Sequence, residues 1–386
     1  MSDERERQDG AGGTPAPLNP AVSPSHGPEA RATPESWAER PCHTGAGVRE
    51  KKLAPHRAGQ APEVITVTLN PAIDRTVTVP EFAAGEVNRA VGSHDEPGGK
   101  GVNVAAALAR YGRNVAATGF LGRRNLGIFR EFFDELDIAG RFVLLEGETR
   151  TGIKIVDPES GSTTDVNLPG LAPSREELAE LSRRLVPGAS ETPVAPWYVL
   201  AGSLPPGVPV TIYADWIRAL RERGAAVALD TSGEALRHAV EAGPTFVKPN
   251  IAELETLLGP GRHLPDVAAV IAAARELIAR YGIGLVTVSM GAAGACFVTA
   301  DEALLAKPPP IRVQSTVGAG DAMVAGVVHA LGEGTRPAKR PLAEVARLAT
   351  AFSLSALTLG QPTDSAGFRN GVAAWAPRVE IVPAGL

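Results

Sequence analysis

The sequence has 386 residues, 44% apolar and 21% charged, enough for a sizeable core in two average domains or in one large α/β domain with additions. A formal net charge of −5 argues against a general nucleic-acid binder, so an anionic ligand must be attracted by a local basic pocket. The two cysteines, Cys42 and Cys296, are far apart and give no disulfide framework, and Cys42-His43 is the one candidate metal pair.

Residues 1–61 differ from the rest. Pro15, Pro17, Pro20, Pro24, Pro28 and Pro34 recur without period among Gly, Ser, Ala and charges. Too little bulky apolar surface is present there to offset the entropy of ordering, which predicts a disordered tail. The tail lacks a basic region followed by an apolar stretch, as a secretory signal would have, and Asp3, Glu4, Glu6, Asp9 and Glu29 argue against a mitochondrial presequence. No apolar run approaches the roughly 18 residues of a membrane span. The expected compartment is the cytoplasm, with neither membrane nor nucleic acid as a partner.

Residues 62–386 read as one domain. Short apolar, β-branched runs at 64–69, 116–120, 197–201, 227–230, 245–247 and 285–288 alternate with helical patterns at 102–111, 125–136, 210–223, 234–242 and 267–281. Buried strands alternating with helices of this length predict an α/β fold with a mostly parallel sheet covered on both faces. Two segments, within about 75–97 and 150–168, break the pattern. Residues 76–79 with 88–93, and 152–156 with 163–167, alternate apolar and polar side chains, as strands with one wet face do. They predict a small β-sheet lid over the ligand site, with an apolar face that a second subunit would cover.

The strongest chemical signal is Ser315-Thr316-Val317-Gly318-Ala319-Gly320-Asp321, which leads into a helix. Glycines permit close backbone approach, and a helix start offers unpaired N–H groups and a positive partial charge to an anion. Asp321 at the same spot is suited to accept a proton from an attacking hydroxyl, a combination that serves phosphoryl transfer. The competing reading is that Asp321 only caps the helix.

Pro97-Gly98-Gly99-Lys100-Gly101-Val102-Asn103 is a second glycine turn feeding a helix, with Lys100 and Asn103 near any bound anion. It is not a Walker A loop, because Gly101 replaces the required Ser or Thr. Met323 stands where a dinucleotide fingerprint needs its third glycine. Asn70-Pro71-Ala72-Ile73-Asp74 follows the first strand, where Asp74 is either a sugar ligand or part of an Asx turn. Ser203 and Lys248 follow two further strands. Asn250 and Glu253 either organise water around Mg²⁺ or form a capping box.

NPAID, PGGKGVN, AGSLPPG, VKPNIAE and STVGAGD, in this order from about Glu63 onward, closely resemble the PfkB branch of the ribokinase-like sugar kinases, the 1-phosphofructokinases above all. The resemblance implies a three-layer α/β/α fold with a β-lid, a homodimer through that lid, and ATP with Mg²⁺ as cofactors. It implies Asp321 as base, with Gly318, Ala319 and Gly320 as the anion hole. Asp74, Gly99, Lys100, Asn103, Arg150 and Ser203 would hold the sugar phosphate. Lys248, Asn250, Ser289, Gly291 and Gly294 would serve the nucleotide, and Glu253 with Asn250 the metal, through water. Gly85-Glu86-Val87-Asn88 and Gly99-Lys100-Gly101 are similar to the 1-phosphofructokinases, whereas His94-Asp95-Glu96-Pro97 is similar to the 6-phosphofructokinase type. The implied reaction converts fructose 1-phosphate to fructose 1,6-bisphosphate. The alternatives are tagatose 6-phosphate or fructose 6-phosphate as acceptor, a catalytically silent sugar-phosphate sensor on the same fold, or a nucleoside-binding module, which Lys100 and Arg150 disfavour.

Overall fold

In the computed structural model, which describes residues 61–186, 197–315, 317–332, 340–359 and 364–384, the chain enters through β1 (Val64–Thr68). The tail expected at residues 1–61 lies, up to residue 60, outside the described residues, as do Cys42, His43 and Thr316. A hairpin of β2 (Ala72–Thr78) and β3 (Gly92–Gly98) follows, then α1 (Lys100–Arg110), β4 (Val115–Gly122), α2 (Gly127–Glu135) and the short β5 (Ala139–Gly140) and β6 (Val143–Leu145). A second hairpin, β7 (Thr151–Asp157) and β8 (Ser162–Asn167), precedes α3 (Arg175–Leu185). Alternation then resumes with β9 (Trp197–Ala201), α4 (Ile212–Glu222), β10 (Ala226–Asp230), α5 (Gly233–Val240), β11 (Phe246–Val247), α6 (Ile251–Leu258), α7 (Val267–Tyr281) and β12 (Leu285–Ser289). The chain closes with β13 (Ala295–Val298), β14 (Ala303–Lys307), α8 (Ala319–Leu331), α9 (Leu342–Leu359), α10 (Ser365–Trp375) and β15 (Glu380–Pro383).

The main sheet runs β15-β14-β13-β12-β11-β10-β9-β1-β4-β5. Its pairings from β12 through β9 and β1 to β5 are parallel, and those from β12 to β15 antiparallel. Strand β9 explains the layering. Its five apolar residues are all buried, because alternate side chains enter different cores. Trp197, Val199 and Ala201 meet the helices α1, α8 and α9 on one face, while Tyr198 and Leu200 meet α4 and α7 on the other. Helix α8 lies close against α9 because Gly326 has no side chain; a Cβ there would sit 2.6 Å from the Ala349 backbone.

The sequence shows no long apolar run, yet the 18-residue helix α9 has a mean hydropathy of 1.3, long and apolar enough by composition to cross a membrane. Small Ala, Ser and Thr residues between its bulky ones disguise that pattern. The helix packs into the core, with Val345, Ala349 and Phe352 fully enclosed.

The lid is a separate four-stranded sheet, β3-β2-β7-β8, in which parallel pairing of β2 with β7 joins the two hairpins. Its second hairpin matches expectation closely; its first does not. The outer strand expected at 88–93 is Gly92–Gly98, and β2 begins at Ala72 rather than at 76. Asn88 folds back instead: its Oδ1 accepts from the Ala83 N–H at 3.0 Å and its Nδ2 donates to the Ala83 carbonyl at 2.8 Å. That local bonding competes with strand pairing and makes a turn of the segment.

Candidate active site

The carboxyl ends of β1, β9, β10, β11 and β12 converge on one edge of the main sheet, where open parallel sheets bind ligands. The starts of α1 and α8 face the same edge. Gly318 occupies the N-cap of α8 in the left-handed region, φ +74°, and no side chain caps the helix. Its first N–H groups are therefore left for a ligand. Asp321 is the third helical residue and not the N-cap, so the capping alternative fails. Its buried carboxylate instead accepts a 2.8 Å hydrogen bond from Asn103 Nδ2 in the first turn of α1.

Beside this pair lies Asp230, the last residue of β10, almost wholly buried. Its Oδ1 is 2.9 Å from Lys100 Nζ and 3.6 Å from Lys248 Nζ. Its Oδ2 is buried without a hydrogen-bond partner. Buried charges of this kind persist only when paired, and two lysines against two aspartates balance in sign. Burial and the nearby Asp230 charge push Asp321 up to about 6, against the Asn103 hydrogen bond and the two ammonium groups. Burial by itself would lower the Lys100 ammonium, but Asp230, with Asp321 and Glu253 beyond it, holds it above its usual range. Lys100, expected on the sugar-phosphate side, thus stands at the centre of the cluster. Gly320 leaves room for Lys248, whose Nζ would lie 3.3 Å from a Cβ at that position.

The lid side carries the expected sugar ligands. Asp74 sits within β2 and not in an Asx turn. Its carboxylate fills the space where Gly98 lacks a side chain, and a Cβ on Gly152 would stand 3.0 Å from Oδ1. Burial raises its pKa, with Lys154 and Arg150 opposing the shift. The Arg150 guanidinium reaches Asn167 Oδ1 at 3.4 Å, the Leu168 carbonyl at 3.5 Å and the Asn70 carbonyl at 3.4 Å. These contacts are long, and Arg150 Nε is buried without a partner. Asn70 Nδ2 donates to Ser203 Oγ at 3.1 Å, tying the ends of β1 and β9 together. Gly99, at φ +116°, turns the chain from the lid into α1.

On the opposite side, Asn250 and Glu253 form a reciprocal capping box at the start of α6. Asn250 also bridges to Ser289 at the end of β12. The box engages Asn250 Oδ1 and Glu253 Oε2, so any metal held here meets the other carboxylate oxygen. Among the described residues no group of three or more His, Cys, Asp or Glu side chains is placed to hold an ion by itself. Gly291 and Gly294 close a tight turn after β12, and a Cβ on Gly294 would collide with the Ala306 carbonyl, which gives that glycine a packing reason of its own.

Sequence reasoning singled out Lys100 and Lys248 but missed Asp230, which binds both. The sequence offered only its place, since Asp230 ends an apolar strand at the ligand edge, as Asn70, Ser203 and Lys248 follow theirs, and not its two lysine partners.

The sequence pattern of the pfkB family of carbohydrate kinases matches residues 66–366. The chain is 49% identical over 298 residues to a 1-phosphofructokinase of Rhodobacter capsulatus, covering 76% of this chain and 90% of that protein. It is 45% identical over 303 residues to the 1-phosphofructokinase of Xanthomonas campestris pv. campestris, covering 77% and 92%. The tetrameric inhibited form of phosphofructokinase-2 from Escherichia coli superposes with a TM-score of 0.72 at 28% identity, covering 82% of this chain and all of that one.

Proposed function

The chain belongs to the pfkB family of carbohydrate kinases, and from that membership we propose that it transfers the γ-phosphoryl group of ATP to the free terminal hydroxyl of fructose 1-phosphate. The relatives named 1-phosphofructokinase, matched over nine-tenths of their length, support this acceptor. The observation that carries the mechanism is the Asp321 carboxylate, buried at the open start of α8 and hydrogen-bonded to Asn103.

In this reading Asp321 takes the proton of the acceptor hydroxyl as its oxygen bonds to the γ-phosphorus, and the bond to the bridging oxygen breaks to release ADP. A carboxylate pushed up to about 6 is ionised at neutral pH yet basic enough to share the proton in the transition state. The N–H groups at Gly318, Ala319 and Gly320 face the charge on the transferring phosphoryl, and Lys100 and Lys248 add fixed positive charge. Asp230 keeps the two ammonium groups in place.

The nucleotide would lie between the start of α8 and the loops carrying Lys248, Asn250, Ser289, Gly291 and Gly294. The donor set fits Mg²⁺ bound mainly by phosphates and water: the buried Asp230 Oδ2 lacks a protein partner, and Glu253 has one oxygen outside its cap. Mg²⁺ bound there would neutralise phosphate charge, with Glu253 and Asn250 orienting its water.

Asp74, Gly99, Asn103, Arg150 and Ser203 would hold the acceptor. The exposed apolar residues Val87, Val91, Val166 and Leu168 on the lid support a homodimer through that sheet.

ADP release with MgATP, compared among fructose 1-phosphate, fructose 6-phosphate, tagatose 6-phosphate and fructose, tests the substrate. Preference for fructose 1-phosphate is expected. Preference for a 6-phosphate would keep the mechanism and overturn the acceptor, and ATP binding without turnover would favour a sensor.

A further inference from the structure

The chain passes between the main sheet and the lid after β1, β3, β6 and β8. The passage from β6 into β7 is made across a single peptide. Thr149 belongs to the main domain: its Oγ1 accepts from the Gly122 N–H at the end of β4 at 2.9 Å, and a Cβ on Gly122 would collide with the Glu148 and Thr149 backbone. Arg150 belongs to the lid: its carbonyl accepts from the Ile73 N–H of β2 at 2.8 Å, and Thr151 opens β7. The root of the lid is therefore the peptide between these two residues.

Asn125 holds that root. Its Nδ2 donates to the Thr149 carbonyl and its Oδ1 accepts from the Thr149 N–H, both at 2.8 Å. The side-chain amide thus satisfies both backbone groups of one buried residue, as a neighbouring strand would. The pairing of β4 with β6 leads up to it. The Arg123 and Arg124 N–H groups reach the Leu145 and Gly147 carbonyls, each at 3.0 Å, and the Asn125 side chain takes the next alternate position at Thr149. An asparagine ahead of a helix ordinarily serves as its cap, but the N-cap of α2 is Leu126, and no side chain caps it. Arg150 gives the clamp its consequence. Its guanidinium is held only by contacts of 3.4–3.5 Å, so its place depends on the backbone that Asn125 fixes one residue earlier.

We propose that Asn125 is a positioning residue for the reaction. By clamping Thr149 it sets where the lid leaves the main domain, and with that the placement of the Arg150 side chain at the acceptor site. Asn125 itself needs no contact with substrate. This rests on the reading of Arg150 as an acceptor ligand in a ketose-phosphate kinase.

The test is steady-state kinetics of the full chain and of Asn125→Ala, Asn125→Asp, Arg150→Ala and the double variants, with fructose 1-phosphate and ATP varied in turn. Asn125→Ala removes both bonds. Asn125→Asp keeps the shape and the acceptor but not the donor, and it decides the matter where the alanine variant does not fold. Both are expected to lower kcat/KM for fructose 1-phosphate, Asn125→Ala by about 10- to 100-fold, the scale of a small misplacement in a preorganised site. The KM for ATP should stay within about two-fold, because the nucleotide side is untouched. In the Arg150→Ala background the same changes should cost less than about three-fold, since residues that act through one group are not additive. An unchanged acceptor kcat/KM, equal losses for ATP and acceptor, or full additivity with Arg150→Ala would overturn the proposal. A wild-type enzyme that ignores fructose 1-phosphate but accepts fructose 6-phosphate overturns the choice of acceptor alone, and the same variants then test Asn125 with that substrate.

Discussion

Asn103 Nδ2 donates to Asp321 Oδ2 at 2.8 Å, joining the first turns of two helices whose residues lie 218 positions apart in the chain. The bond fixes the direction of the carboxylate and favours its ionised form, whereas burial and the charge of Asp230 favour its protonated form. The balance leaves a buried aspartate pushed up to about 6.

Replacing that carboxylate by its amide removes the proposed base and keeps the shape. Asp321→Asn is expected to lower kcat by about 10²- to 10⁴-fold. Fructose 1-phosphate binding measured by calorimetry should change little. Near-normal turnover would remove Asp321 from the proton-transfer step.

The pH dependence follows with its sign. As the proposed base Asp321 must be ionised to act, so kcat should fall as pH drops through about 6. Asp230→Asn removes a negative charge that favours the protonated form and frees two ammonium groups that favour the carboxylate, so the acid limb should move to lower pH. Asn103→Ala removes a hydrogen bond that stabilises the carboxylate, so the limb should move to higher pH. Each displacement should be on the order of one pH unit, the worth of a hydrogen bond to a charged group. Superimposable limbs in all three proteins would show that another group titrates.

Gly98 tests the sugar side. A methyl group there would overlap the Asp74 carboxylate and must displace it. Gly98→Ala is expected to raise the acceptor KM by about ten-fold or more, the scale of a lost charged hydrogen bond, with little effect on ATP. Equal effects on both substrates would place the damage in the fold.

The lid face tests the assembly. Val166 lies on β8 with 44% of its surface exposed. A charge at the centre of an apolar interface carries a desolvation cost with no partner to offset it. If the proposed lid-to-lid dimer is the assembly, Val166→Glu shifts the sedimentation of the protein from dimer to monomer. An unchanged sedimentation coefficient would exclude this strand from the contact.

Much of this arrangement was legible in the sequence, for identifiable reasons. Strand β9 and helix α7 match their expected bounds, because an unbroken apolar run and a long amphipathic pattern admit one reading each. The glycine turns before α1 and α8 were visible as punctuation. The outer lid strand at Gly92–Gly98 was not: His94, Asp95 and Glu96 do not look like a strand, and they become one through cross-strand partners on β2, such as the bidentate Arg75–Asp95 pair. Asp230 was missed for the same reason. A lone aspartate after four apolar residues gains meaning only when two lysines, 130 and 18 residues away in sequence terms, are folded onto it.

The most direct test of the central claim is phosphorus NMR of the reaction of purified protein with MgATP and fructose 1-phosphate. Fructose 1,6-bisphosphate and ADP should appear in equal amounts, and Asp321→Asn should form them orders of magnitude more slowly. Inert fructose 1-phosphate beside an active wild-type enzyme on another acceptor would contradict the substrate, and equal rates for the two proteins would contradict the base.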